Sequence, residues 1–212
     1  EQALVASCNG YFIDLALRLG KEKIIETAGR FKLGQATGIP LGGEEAGNIP
    51  AAADLPYSGD VANLAIGQGA ITATPLQLAR VMSILANRGR DVYPRLVSKV
   101  IDKNGNTVRN YPVQYGSLVI APALAQKLHD MLVTVVEEGT ASLARSGRYR
   151  AAGKSGTAQL AGKKYSRSWF AGTVETEKET LVAVLLLEEH YAGEPTASAV
   201  FRRVMEAVLD AR

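Results

Sequence analysis

Gly153-Lys154-Ser155-Gly156-Thr157-Ala158-Gln159 is the stretch on which the reading of this chain turns. It gathers an ammonium, two hydroxyls and a residue without a Cβ on one short strand, expected near Gly153–Leu160. Alternation along a strand sends Lys154 and Gly156 to one side and Ser155 and Thr157 to the other. Twist or an edge position can still bring several of these groups to one cleft. There Gly156 would let a ligand backbone lie close, Ser155 and Thr157 would grip a carboxylate, and Lys154 would hold the local potential positive. Taken alone, the segment reads better as a strand with one exposed lysine. It is no P-loop, because the glycine-rich spacing before Lys154 is missing and a strand follows where a helix is required.

Working outward, Trp169–Val174 and Leu181–Leu187 read as two further strands. The charged turn Glu175–Glu179 between them makes an antiparallel hairpin. Pro195 and Thr196 start a terminal helix with an apolar stripe of Ala197, Val200, Phe201, Val204 and Val208. Upstream, Pro122 starts a helix that Gly139 stops after Glu138, with Leu124, Leu128, Met131, Leu132 and Val135 expected to face the core. Thr74-Pro75-Leu76-Gln77 carries a capping box with proline at the first helical position, and that helix should reach about Asn87. Val97–Ile101, Asn104-Gly105 and Thr107-Val108 read as a peripheral hairpin.

Near the start, helices are expected at Tyr11–Leu19 and Glu22–Gly29, the first burying Phe12, Leu15, Ala16 and Leu19 and capped by Ser7 or Asn9. Phe31 to Gly69 lacks periodicity and reads as an irregular, ordered lobe. Within it, Ile66-Gly67-Gln68-Gly69 is either a tight turn under a helix or a place where backbone passes close to another group. The pattern is a helical lobe over about 1–150, then a sheet and terminal helix over about 151–212, an α/β chain of the α+β kind.

Composition narrows the function. The 212 residues are 47% hydrophobic and 21% charged, enough to build a core. A net charge of +3 is too mild for a nucleic-acid footprint. Lys163, Lys164 and Arg167 form the densest basic patch, which reads as a solvated loop. The longest apolar run, Leu181–Leu187, falls far short of the roughly 18 residues that cross a bilayer. One cysteine excludes an intrachain disulfide and any multi-cysteine metal site. His129 and His190 read as structural or surface residues, and no metal signature or cofactor motif is present. The chain opens on Glu1 and reads as a processed or engineered product.

Ser7-Cys8-Asn9 before a helix is, alone, only a cap. Combined with the order and spacing of the rest, it becomes specific. Ser7-Cys8-Asn9 with Tyr11-Phe12, Thr37-Gly38-Ile39 with Glu44, Ile66-Gly67-Gln68-Gly69 with Thr74-Pro75-Leu76-Gln77, Gly139-Thr140-Ala141, and Gly153-Lys154-Ser155-Gly156-Thr157 succeed one another along nearly the whole chain. In that succession the chain resembles the C-terminal part of the transpeptidase domain of class B penicillin-binding proteins. That family's signature runs serine-x-x-lysine, serine-x-asparagine, lysine-threonine/serine-glycine.

The resemblance implies a fold like that of penicillin-binding proteins and serine β-lactamases: an antiparallel sheet flanked by helices, beside a helical lobe. It implies D,D-transpeptidation of peptidoglycan stem peptides through an acyl-serine, and binding of β-lactams. Ser7 would relay a proton, Asn9 would meet the substrate amide, and Lys154 would supply charge and a hydrogen bond to Ser7. Ser155, Gly156 and Thr157 would form the carboxylate-binding strand, with the Thr157 backbone N–H as half of an oxyanion hole. No serine in the chain is followed by lysine three residues later. The nucleophile is therefore expected on a companion chain or missing upstream segment, together with strands and a helix that complete the core. Without these, the 212 residues are expected to be poorly soluble. The resemblance also implies an extracytoplasmic place at the bacterial inner membrane, an N-terminal anchor, and cell-wall glycosyltransferase partners. A β-lactamase or D,D-carboxypeptidase, and a β-lactam sensor, are the alternatives. The long glycine-rich lobe and the long span from Asn9 to Lys154 favour the transpeptidase.

Overall fold

In a computed structural model describing residues 1–212, the chain runs through α1 (Gln2–Val5), α2 (Asn9–Leu19), α3 (Lys21–Arg30), α4 (Ser58–Ala65) and α5 (Pro75–Ala86). Four short strands follow: β1 (Arg90–Val92), β2 (Lys99–Ile101), β3 (Thr107–Asn110) and β4 (Tyr115–Leu118). The rest is α6 (Pro122–Glu138), β5 (Arg150–Gln159), β6 (Ser166–Glu175), β7 (Thr180–His190) and α7 (Ala197–Asp210).

The principal sheet is antiparallel in the order β5-β6-β7, with Gly153 opposite Gly172 and Lys154 opposite Ala171. Successive side chains feed two separate cores, as a period of two requires. Ala151, Phe170 and Leu181 join a cluster with Phe201 and Met205 of α7. Ala152, Ala171 and Val182 join a cluster with Met82 and Leu85 of α5 and Leu132 and Val133 of α6. The sheet is thus the middle layer between helices. This explains why Leu181–Leu187 is apolar without alternation: each face of β7 meets a helix layer. Phe170 stacks on Phe201 with ring centroids 4.4 Å apart, and its ring covers the paired Gly153 and Gly172. Both outer strands, β5 and β7, have one unpaired edge within the chain.

The antiparallel sheet covered by helices is the expected fold class, and several local expectations need correction. Cys8, not Ser7 or Asn9, is the N-cap of α2, and no side chain caps that helix. Ser7 is turned toward β5 instead, and Asn9 already lies in the first turn. Of the face expected to bury on α2, only Ala16 is fully buried, while Leu15 and Leu19 are exposed. Leu124 is exposed because it lies in the first turn of α6, whose buried face starts at Ala125 and continues through His129 and Leu132. Val204 is exposed too, since α7 buries the narrower stripe Ala197, Phe201 and Met205.

The lobe from Phe31 to Gly69 is more regular than expected, because it contains α4. Asp60 reaches back to accept from the Tyr57 N–H at 3.0 Å and so starts that helix. The remainder is held by polar anchors. Gln77 completes the capping box with Thr74, accepting from its N–H at 2.8 Å. Its amide also donates to the carbonyls of Gln35 at 2.9 Å and Ala46 at 2.6 Å. Glu44 accepts from the N–H groups of Thr37 at 2.7 Å and Gly38 at 3.0 Å. Gln77→Leu removes three bonds from a fully buried position and strands their backbone partners. It should destabilise the protein by about 1–3 kcal/mol, read as a lower urea midpoint with earlier proteolysis between Gln35 and Gly47.

Candidate active site

Three chain segments meet at Lys154. The first is the end of α1, where Ser7 adopts φ +53°. A side chain in that left-handed region costs about 1–2 kcal/mol. A glycine would sit there without strain but would have no hydroxyl to offer. The second is the end of α6. A Cβ at Gly139 would stand 2.6 Å from the Val5 carbonyl, so only glycine lets α6 end against α1. The Thr140 N–H then donates to the Val5 carbonyl at 3.2 Å, which sets Thr140 beside Ser7. The third is the free edge of β5.

Lys154 Nζ donates to Ser7 Oγ at 2.5 Å, across 147 residues of sequence. It also donates to the Ser155 carbonyl at 3.0 Å and Thr140 Oγ1 at 3.3 Å. None of these partners is a carboxylate, and burial pulls the Lys154 ammonium below the ordinary lysine range. Ser155 Oγ reaches Thr140 as well, at 3.4 Å to its hydroxyl and 3.5 Å to its carbonyl. Lys154 and Ser155 are adjacent on a strand, yet both meet the same threonine. Simple alternation separates them; the edge position of β5 reunites them.

Farther along the same edge, Gly156 and Thr157 are exposed. Nothing in the chain itself demands a glycine at 156, since a Cβ there would approach only Trp169 Cβ at 3.7 Å. The loop after α4 arrives at this point, and Gln68 Nε2 donates to the Thr157 carbonyl at 3.1 Å. Ile66–Gly69 forms the tight turn at the end of α4, with the Gly67 and Gln68 N–H groups donating to the Leu64 and Asn63 carbonyls, and the Gln68 side chain makes the contact with β5. Two rungs therefore span the cleft: Ser7–Lys154 and Gln68–Thr157.

The structure thus brings together Ser7, Lys154 and Ser155. Asn9 lies on the first turn of α2, exposed, and makes no side-chain hydrogen bond to Ser7 or Lys154. Thr140 and Gln68 were not singled out as site residues by sequence reasoning. Their only signals were the Gly139-Thr140-Ala141 and Gly67-Gln68-Gly69 motifs. The two histidines lie elsewhere. His129 is buried, with Nε2 3.0 Å from Thr173 Oγ1, and His190 Nε2 is 3.2 Å from the Glu194 carbonyl.

Residues 1–206 match the model of the penicillin-binding protein transpeptidase domain. The chain belongs to that family. Penicillin-binding proteins similar to it include the peptidoglycan D,D-transpeptidase MrdA of Acinetobacter baumannii, 33% identical over 179 residues, which covers 79% of this chain and 27% of that protein. MrdA of Haemophilus influenzae is 31% identical, covering 100% of this chain and 36% of the relative. The chain therefore spans about a third of these relatives' length. Among solved structures, penicillin-binding protein 3 of Mycobacterium tuberculosis complexed with aztreonam superposes with a TM-score of 0.84 at 27% identity, covering 99% of this chain and 50% of that one. A D,D-transpeptidase domain from Eggerthella lenta gives 0.85 at 25% identity, over 99% of this chain and 52% of that one.

Proposed function

We propose that this chain is part of a peptidoglycan D,D-transpeptidase domain. It supplies the proton-relay and carboxylate-binding side of a serine acyl-transfer site. The observation that carries the reading is the 2.5 Å bond from Lys154 to Ser7, which ties two distant motifs into one cleft. A serine on a serine-x-x-lysine segment outside this chain attacks the carbonyl before a terminal D-alanine. The C–N bond breaks, the nucleophile's proton passes by way of Ser7 to the departing amine, and D-alanine leaves. An amino group of a second stem peptide then attacks the acyl-serine carbonyl, the new C–N bond forms as the ester C–O bond to serine breaks, and the proton the amine loses returns to the serine oxygen. Ser155 and Thr157 hold the terminal carboxylate beside Lys154, and Asn9 meets the substrate amide. The Thr157 N–H and the nucleophile's own N–H stabilise the tetrahedral oxyanion.

β-Lactams enter the same site as acylating mimics; the Mycobacterium tuberculosis relative is described in complex with aztreonam. No helix of the chain is long and apolar enough to cross a membrane. The whole protein's place, in this reading, is the outer face of the bacterial inner membrane, held by an N-terminal anchor and working beside a cell-wall glycosyltransferase.

The test is incubation of the whole protein with a fluorescent penicillin, followed by peptide mapping. A persistent adduct on a serine-x-x-lysine serine is expected. Rapid turnover would move the reading to a β-lactamase, and the lack of any adduct or turnover would end it.

The pH dependence has a definite sign. Lys154 carries its charge only below its own pKa, which burial has lowered. As pH rises through that value, the positive potential under the carboxylate is lost. The acylation rate should therefore fall before pH reaches the ordinary lysine value of about 10.4. A pH profile of the second-order acylation constant that stays flat to that point would contradict the role given to Lys154.

A further inference from the structure

The free edge of β5 has a hydrogen-bonding pattern of its own. Carbonyls two residues apart on a strand point to the same side. Those of Ser155 and Thr157 both point away from β6, and each is already bonded by a side chain. Lys154 Nζ takes the Ser155 carbonyl and Gln68 Nε2 takes the Thr157 carbonyl. An unpaired strand edge ordinarily invites another extended chain. Here the two acceptors at Ser155 and Thr157 are occupied from within the molecule.

Lys154 has other partners, but the Gln68 side chain has only Thr157. The Gln68 backbone is secured by its N–H on the Asn63 carbonyl at 2.9 Å, so the side chain's bond is not needed to hold the loop. Gly67 and Gly69 flank it at φ +72° and +80°, and a Cβ at Gly67 would meet nothing within 4 Å. This is a short arm with room to swing, carrying one amide donor to one strand carbonyl.

We infer that Gln68 is a positioning residue that holds the place of a ligand amide on β5. Its side-chain N–H occupies the Thr157 carbonyl in the free protein and gives way to the backbone N–H of an extended peptide, or the side-chain amide of a β-lactam. The inference rests on the acyl-transfer reading above and adds a specificity consequence to it. Ligands with an amide N–H next to the reacting centre must displace Gln68, whereas ligands without one need not.

The experiment compares acylation of the whole protein by benzylpenicillin, which carries that amide, and by imipenem, which has a hydroxyethyl group in its place. Gln68→Ala and Gln68→Met both remove the donor, and the second keeps the side chain's length. In either variant the benzylpenicillin rate should rise about threefold to tenfold, the value of one net hydrogen bond, while the imipenem rate stays unchanged. The ratio of the two rates cancels any loss of folded protein. An unchanged ratio, or a fall in the benzylpenicillin rate alone, would overturn the role of Gln68 while leaving the acyl-transfer reading intact. If neither compound acylates the wild-type protein, that reading fails and the placeholder role fails with it.

Discussion

Lys154→Met should lower the acylation rate of the whole protein by a penicillin on the order of 10²–10⁴-fold. Methionine keeps the side chain's length and apolar stem. It removes the donor 2.5 Å from Ser7 Oγ, the donor to Thr140, and the charge beside Ser155 and Thr157. The folded state should not suffer in step. Burial disfavours the Lys154 ammonium, so the unfolded chain binds more protons between the lowered folded pKa and the ordinary lysine value. Wild-type stability therefore rises with pH across that window, and below it the charged lysine is a burden on the fold. Lys154→Met should show a melting temperature at or above that of wild type near neutral pH, without the alkaline rise. Stopped-flow acylation and calorimetry on the same sample separate the two effects. Wild-type acylation by the variant would remove Lys154 from the mechanism.

The largest stability effect is expected far from the cleft. Arg80 and Asp91 form a two-pronged ion pair, Nε to Oδ1 at 2.8 Å and Nη2 to Oδ2 at 2.7 Å, with both side chains buried. Burial alone would raise the Asp91 carboxyl; the Arg80 hydrogen bonds and charge overcome this and hold it below its ordinary value. Asp91→Ala leaves the guanidinium buried and uncompensated, which should destabilise the protein by about 3–5 kcal/mol. At about 2–4 °C per kcal/mol for a chain of this size, the melting temperature should drop by roughly 6–20 °C. Arg80→Met combined with Asp91→Leu should recover most of the loss, because the desolvation penalty then disappears with both charges. A double variant no better than Asp91→Ala would show that the pair contributes more than a cancelled penalty.

Legibility in the sequence varied with the range of the interactions concerned. The helix at Pro75 was readable because its cap, its proline and its return glutamine lie within four residues. The bounds of α6 were readable for the same reason, with proline at its start and glycine at its stop. β5, β6 and β7 were found, but β6 and β7 extend beyond the expected bounds at both ends and β5 at its start, since pairing recruits flanking residues such as Arg150, Ser166 and His190 that have no strand character of their own. The helix α4 was missed because Ser58-Gly59-Asp60 offers little propensity. The bond from Asp60 to the Tyr57 N–H and the burial of Val61 and Leu64 compensate for it.

The candidate site divides along the same line. Lys154, Ser155 and Thr157 were legible because lysine, hydroxyls and glycine stand side by side. Ser7 was legible only through its place in a succession of motifs. Thr140 and Gln68 have ordinary local surroundings, and what distinguishes them is contact with residues 14 and 89 positions away.

By itself the amino-acid order established the layered α+β class, the places of most helices and strands, and the motifs that carry the resemblance. These follow from periodicity, capping and turn chemistry, whose interactions span a few residues. Tertiary structure alone decided that β5 is an edge strand, that Gly139 lets α6 close on α1, and that Ser7 meets Lys154 while Gln68 meets Thr157. Those outcomes depend on which surfaces pack against one another, and the distances between groups 89 to 147 residues apart are set by that packing.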